Sequence, residues 1–127
     1  MADLAVGDCG VCIGGDTGEY CTVSDAKIIT ARKPHQCEEC DKTIQPGERY
    51  ERISQLYEGE WSRMSVCLMC SEISIALSCD GRSIGNMWED IRDNVFPNMT
   101  TGCLTKLKTA AAKQHLVNEW NEWKFGR

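Results

Sequence analysis

Four cysteines in the middle of the chain have the spacing of a metal site. Cys37 and Cys40 form one Cys-x-x-Cys pair, and Cys67 and Cys70 form a second. Each such turn can place two thiolates on one ion, so two turns complete the tetrahedral shell that zinc prefers. The sequence therefore predicts one zinc ion, Zn²⁺, bound by these four cysteines. Because this shell leaves no position for a catalytic water, the ion is expected to hold the fold, and His35 is expected to lie outside the ligand set.

Five further cysteines raise the question of a second site. Cys9 and Cys12 form a third Cys-x-x-Cys pair near the start of the chain, and Cys79 and Cys103 adjoin the ends of predicted helices. A second zinc ion could therefore use the second cysteine set, which consists of Cys9, Cys12, Cys79 and Cys103. The fifth thiol, Cys21, could replace Cys79 or Cys103. The sequence leaves open the alternative that Cys79 and Cys103 are ordinary buried thiols.

The redox compartment favours metal over disulfides. No stretch reaches the roughly 20 apolar residues of a membrane helix, and the start of the chain lacks the pattern of a signal peptide. We therefore expect a cytoplasmic protein without a membrane partner. Thiols stay reduced in that compartment, so nine cysteines with short pair spacings indicate metal binding. The alternative for the first four cysteines is that they are buried thiols that bind no metal.

The elements that must position the first four cysteines follow from hydrophobic periodicity. Residues 48–54 and 60–66 alternate polar and apolar side chains around a Glu58-Gly59 turn, which predicts a β-hairpin. After Cys70, apolar residues recur at helical spacing until Asp80-Gly81, which predicts a helix that begins at the second cysteine pair. A cysteine knuckle, a hairpin and such a helix together predict a treble-clef-like arrangement.

The remainder of the chain is predicted to be rich in loops at its start and helical at its end. The early residues are rich in Gly, Asp and Thr, with one short strand near Val23 or Lys27. Residues 86–92 predict a short helix, and Thr100 or Thr101 can cap a long helix that runs to about residue 124. We expect a single α+β domain with three parts, namely a loop-rich segment at residues 1–30, a zinc core at 31–80 and a helical part at 81–127.

The motifs around the cysteine pairs resemble a known family. Small, mostly uncharacterised zinc-binding proteins of tailed phages and prophages carry similar segments, which here are residues 8–15, 31–40, 44–52, 59–61 and 67–70. The resemblance covers most of residues 8–72, and Cys21 is not part of the pattern. It implies a phage-encoded protein that acts in the cytoplasm of a bacterial host, and it implies no particular activity.

Charge and residue types narrow the classes of function. A net charge of −5 gives no general attraction to nucleic acid, because that affinity comes from Lys and Arg at phosphates. Nucleic-acid binding by a zinc-finger-like regulator would thus be local. Its best support is the basic step Lys27, Arg32 and Lys33, together with His35 near the knuckle and with Lys106, Lys108 and Lys113, which form no single stripe on the last helix. An HNH-like nuclease would need clustered histidines, whereas only His35 and His115 exist. We predict no catalytic residues.

The end of the chain suggests a protein partner. Ala112, Leu116, Trp120 and Trp123 share one face of the predicted last helix, and Trp is enriched at interfaces. The expected function is a non-catalytic interaction module or an inhibitor of a host protein, and this face could also join two copies in a homodimer. The alternative is that the face is simply core.

Overall fold

The computed structural model describes residues 4–11, 13, 23–57, 59–78 and 87–126, and it has the expected α+β composition. The chain divides into two units. The sheet unit is Asp16–Ser71, and the helical unit is Met1–Gly15 together with Glu72–Arg127. Among the described residues, no helix has both the length and the apolar character needed to cross a membrane.

The sheet unit contains the predicted hairpin. The strands of the unit are β1 (Val23–Thr30), β2 (His35–Gln36), β3 (Thr43–Ile44), β4 (Arg49–Tyr57) and β5 (Glu60–Cys67), and β4 and β5 form the hairpin. Strands β1, β4 and β5 form an antiparallel sheet in that order, and β2 pairs with β3. The hairpin closes where Tyr57 pairs with Glu60, and Gly59 has a φ of 81°, a left-handed conformation that glycine adopts without strain. The hairpin and the strand near Val23 are therefore confirmed.

Register decides which side chains share a face of the sheet. Lys27, Arg52 and Ser65 lie side by side on β1, β4 and β5. Because side chains alternate along a strand, Arg63 shares their face, whereas Ile53 lies on the opposite face and is buried. One face of the sheet thus gathers cationic side chains that are far apart in sequence.

The helical unit differs from expectation at its end. The helices are α1 (Leu68–Leu77), α2 (Met87–Asp90), α3 (Thr101–Thr105) and α4 (Ala110–Phe125), and a π-helical turn (Ile91–Val95) and a 3₁₀ turn (Phe96–Asn98) follow α2. Helix α1 begins at the second cysteine pair, as predicted, and the boundary between the units falls within it, after Ser71. The single long helix expected from about residue 100 to 124 is instead two helices.

A carboxylate explains the break between α3 and α4. Glu72 Oε2 accepts the N–H groups of Lys108 and Thr109 at 2.6 and 2.9 Å, and these donors would otherwise continue α3. Thr109 Oγ1 donates to Glu72 Oε1 at 2.8 Å and accepts the N–H of Ala112 at 3.2 Å, so Thr109 caps the new helix. The carboxylate therefore ends one helix and starts the next.

The start of the chain pairs with distant segments of the helical unit. Ala5 bridges to Thr100, and Ile13 N–H donates to Leu77 O at 2.8 Å. At Gly102 a Cβ atom would meet Gly7 O at 2.5 Å, so this close approach requires glycine. The buried core of the unit includes Leu77, Ile91, Val95, Phe96, Leu116 and Trp120.

Candidate metal centre

Three local structures bring the four predicted ligands together in the sheet unit. Cys37 follows β2 and starts a tight turn that reaches Cys40. Asp41 closes the turn: its φ is 63°, and its N–H donates a hydrogen bond to Cys37 O at 3.0 Å. Cys67 is the last residue of β5, and Cys70 lies in the first turn of α1. Residues 27 to 33 positions apart therefore meet because the hairpin returns the chain to the knuckle.

The sulfur atoms have the spacing of a metal-ligand shell. The four Sγ atoms lie within 4.8 Å of one another, and Cys40 Sγ is 3.8 Å from Cys67 Sγ. A tetrahedron with Zn–S bonds of about 2.3 Å has edges of about 3.8 Å, so the spacing is compatible with zinc. Cys37, Cys67 and Cys70 are buried and Cys40 is partly exposed. The described residues thus contain a four-cysteine cluster that could hold a metal ion.

Backbone donors surround one of the sulfurs. Cys37 Sγ accepts the N–H of Glu39 at 3.4 Å and the N–H of Cys67 at 3.3 Å. Hydrogen bonds of this kind orient thiolate ligands and stabilise their negative charge. The Cys67 bond also links the knuckle to the end of β5, so the same contact supports both the ligand and the fold.

The protonation of the thiols depends on their neighbours. Hydrogen bonds from the side chains of Cys67 and Cys70 lower the pKa of Cys37 far below its ordinary value. Burial raises the pKa of the Cys40 thiol to about 12, and the hydrogen bond to Cys37 raises that of Cys70. The hydrogen bonds thus make Cys37 easier to deprotonate than Cys40 or Cys70, whereas a bound divalent cation would deprotonate its thiol ligands.

His35 lies beside the cluster and outside it. Its Nε2 atom is 3.4 Å from Tyr50 Oη, and the two rings contact each other with centroids 4.8 Å apart. Tyr50 pairs with Cys67 across the hairpin. His35 therefore packs next to the metal-ligand segment through Tyr50, in keeping with its predicted place outside the ligand set.

The second cysteine set is only partly described. Cys9 and Cys103 are joined by a disulfide, with their Cα atoms 4.7 Å apart. A sulfur in a disulfide is not a thiolate, so this form offers neither residue to a metal. Cys12 and Cys79, as well as the alternative ligand Cys21, lie outside the described residues. For Cys9 and Cys103 the expectation of metal binding over a disulfide is therefore wrong in this structure, and the second zinc site stays a prediction.

A basic cleft lies on the sheet unit beside the cluster. It has a volume of about 990 Å³ and is lined by Ile29, Thr30, Arg32, Lys33, His35, Tyr50, Arg52, Arg63 and Ser65. Four of these nine residues are Lys or Arg, and none is Asp or Glu. Such a concave site concentrates positive potential on a chain whose net charge is −5.

The four-cysteine cluster adjoins one end of the basic cleft. His35 stands two residues before Cys37, and Tyr50 lies opposite Cys67. Ser65 O accepts the N–H of Glu38 at 2.8 Å, which ties β5 to the knuckle. His35, Tyr50 and Ser65 thus line the cleft where it adjoins the cluster.

Sequence reasoning found half of the cationic side chains of the cleft. Arg32 and Lys33 were part of the predicted basic step, whereas Arg52 and Arg63 were not singled out. The predicted hairpin contained the information needed to find them. Because side chains alternate between the two faces of each strand, the predicted turn places both arginines on the same face. Reading the hairpin by charge as well as by hydrophobicity would have found this surface.

The predicted partner face of the last helix is largely interior. Trp120 is 3% exposed and belongs to the core, and Ala112 and Leu116 are fully buried. Trp123 is 40% exposed, and its ring contacts Phe96 with centroids 5.7 Å apart. Most of this face is thus part of the core, as the alternative interpretation of the sequence held. Of the four predicted residues, Trp123 alone lies at the surface.

Comparison with known proteins identifies no relative. No protein family model, curated protein or solved structure matches this chain. The resemblance to zinc-binding proteins of phages and prophages therefore stays a prediction.

Proposed function

We propose that this protein is a non-catalytic, zinc-stabilised module that binds nucleic acid through the basic cleft. In this proposal the four-cysteine cluster binds one zinc ion in a treble-clef-like arrangement. The observation that carries the proposal is the cleft, where Arg32, Lys33, Arg52 and Arg63 line one concave surface without a carboxylate. Clustered cations on one face are the electrostatic footprint of phosphate binding.

For phosphate binding, the positive charge of the cleft matters more than the negative net charge of the whole chain. Exposed charges further apart than about 8 Å are largely screened at physiological ionic strength, so a phosphate responds mainly to the nearest side chains. Among the described residues of β1, β4 and β5 that share this face, the acidic one is Asp25, and it pairs with Lys27 at 3.8 Å. The four cations of the cleft are therefore not offset by the acids that dominate elsewhere.

The same surroundings argue against catalysis. Four thiolates would fill the coordination shell of the zinc ion and leave no open position for a substrate or water. In the cleft, His35 has Tyr50 as its partner, and the lining that the structure describes holds no carboxylate to orient the ring. The arrangement has the parts of a binding surface and lacks the paired groups that acid–base chemistry requires.

A host protein as partner has less support from the geometry. That hypothesis depended on the tryptophans of the last helix, and Trp120 is buried. The basic cleft, by contrast, is open, lined by charged side chains and built next to the cluster. Nucleic acid is thus the partner class that the described surfaces favour.

Charge neutralisation tests the proposal. Four phosphate contacts give a slope of log K against log[salt] of about −2.8 for a single strand and about −3.6 for a duplex. Between about 50 and 200 mM salt, a slope of −2.8 weakens binding roughly 50-fold. The double variant Arg52→Gln, Arg63→Gln is expected to halve the slope, as measured by fluorescence anisotropy with labelled DNA and RNA.

A matched control removes the same charge from the helical unit. The variant Lys106→Gln, Lys108→Gln also loses two exposed cations, and it is expected to bind like the unchanged protein. Zinc content measured on every variant confirms that the cluster is intact. Equal loss of binding in both double variants, or no salt-dependent binding by the unchanged protein, would refute the proposal.

A further inference from the structure

An exposed tryptophan lies on the cationic face of the sheet, outside the lining of the cleft. Trp61 on β5 is 62% exposed and pairs with Leu56 across the hairpin. Arg63 is two residues further along the same strand, so its side chain and that of Trp61 emerge on the same face. A single exposed apolar residue needs no explanation, but a large aromatic ring next to a row of cations has the composition of a strand-binding surface.

We propose that the basic cleft binds single-stranded nucleic acid and that Trp61 stacks on one of its bases. This inference rests on the proposed function and names the form of nucleic acid. The cations of the cleft contact the phosphates, and the indole ring extends the binding surface along β5. A base that stacks on the ring adds affinity without sequence preference, because every base has a π face.

The need for an unpaired base follows from the chemistry of stacking. In a duplex, the two faces of each base are covered by the neighbouring bases, so a flat indole ring has no free face to contact. Single strands, loops and ends have bases that can turn outward onto an aromatic side chain. Trp61 can therefore contribute to binding a single strand and contributes little to binding an intact duplex.

The shape of the cationic surface leads to the same choice. Arg32 and Lys33 lie on the segment after β1, whereas Arg63 lies on β5, so the cations line two sides of a concave channel. Proteins that read a duplex place a protruding helix or ribbon in a major groove about 12 Å wide. A flexible single strand can enter a cleft of about 990 Å³, whereas an intact duplex can meet the cleft only with its outer surface.

Strand preference and a stacking variant test the inference together. Anisotropy is measured with one oligonucleotide sequence as single-stranded DNA, single-stranded RNA and duplex DNA at equal salt. The single strands are expected to bind more tightly than the duplex, and the two single-strand arms identify the preferred sugar. Trp61→Ala is expected to weaken single-strand binding about 5- to 150-fold, the range for loss of one stacked base.

Two further variants separate stacking from damage to the fold. Trp61→Phe retains an aromatic ring and is expected to recover most of the lost affinity. Trp123→Ala removes a partly exposed tryptophan from the helical unit and is expected to leave binding unchanged. Zinc content is measured for each variant, so that a lost cluster is recognised.

The outcomes distinguish this inference from the proposed function. If neither single strand nor duplex binds through the cleft cations, the proposed function itself fails. If salt-dependent binding through the cleft is present but Trp61→Ala binds like the unchanged protein, the stacking inference is overturned while the proposed function stands. Equal or tighter binding of the duplex overturns it in the same way.

Discussion

Removal of the metal from the four-cysteine cluster is expected to unfold the sheet unit. Apart from three cysteines of the cluster, the large apolar side chains that are buried among the described residues of this unit are Ile44, Tyr50, Ile53 and Val66. Burial of these four contributes about 6–12 kcal/mol at about 1.5–3 kcal/mol each. Zinc binding in small zinc fingers is worth about 10–16 kcal/mol, whereas whole domains have a net stability of about 5–15 kcal/mol. A zinc ion in the cluster would therefore contribute as much as the remaining apolar core.

Hydrogen exchange of the whole chain can resolve this effect by region. After chelation, with zinc loss verified by elemental analysis, the amides of β4 and β5 are expected to lose protection. The amides of α4 are expected to keep theirs, because the helical unit has a separate buried core. Cys70→Ser should reproduce the effect, whereas Cys103→Ser, which leaves the four ligands unchanged, should not. Unchanged protection of β4 and β5 in the metal-free protein would refute a structural role for the ion.

Two further predictions concern the helical unit. Glu72→Gln is expected to lower the free energy of unfolding by about 1–2 kcal/mol in chemical denaturation, since the donors at Lys108 and Thr109 lose a charged acceptor. Although burial opposes its ionisation, these hydrogen bonds hold the pKa of Glu72 below its ordinary value. Its contribution to stability is therefore present above the unfolded-state pKa of about 4.3, and it is lost as the pH falls through the lower folded-state value. A variant with the same acid sensitivity as the unchanged protein would contradict this assignment. For the second cysteine set, native mass spectrometry in reductant is expected to count two zinc ions per chain, and one in Cys103→Ser; one ion in both would remove the second site.

The four-cysteine cluster could be predicted because its determinants are local. Each Cys-x-x-Cys turn carries two ligands at a fixed spacing, and the alternation around Gly59 specifies a hairpin that brings the turns together. The start of α1 at the second pair followed from the same short-range pattern. No distant contact had to be known in advance.

Other features were missed because they depend on residues that are distant in sequence. The break in the last helix requires Glu72, which is 36 residues before Lys108. Helix propensity alone gave no reason to stop at that point, since the stretch is rich in strong helix formers. The pairing of Ala5 with Thr100 likewise has no sequence signal, because an isolated bridge imposes no periodic pattern. Tertiary contacts overrode local preference in both places.

The charge of the metal centre adds a constraint on where nucleic acid binds in the proposed arrangement. Zn²⁺ with four thiolates carries two net negative charges, which would repel a phosphate at the His35 end of the cleft. Arg63 stands four residues before Cys67 on β5, roughly 13 Å away at about 3.3 Å per residue. This distance exceeds the Debye length of about 8 Å, so the repulsion is largely screened there. Phosphates should therefore favour the end of the cleft near Arg63, which is the end that leads toward Trp61.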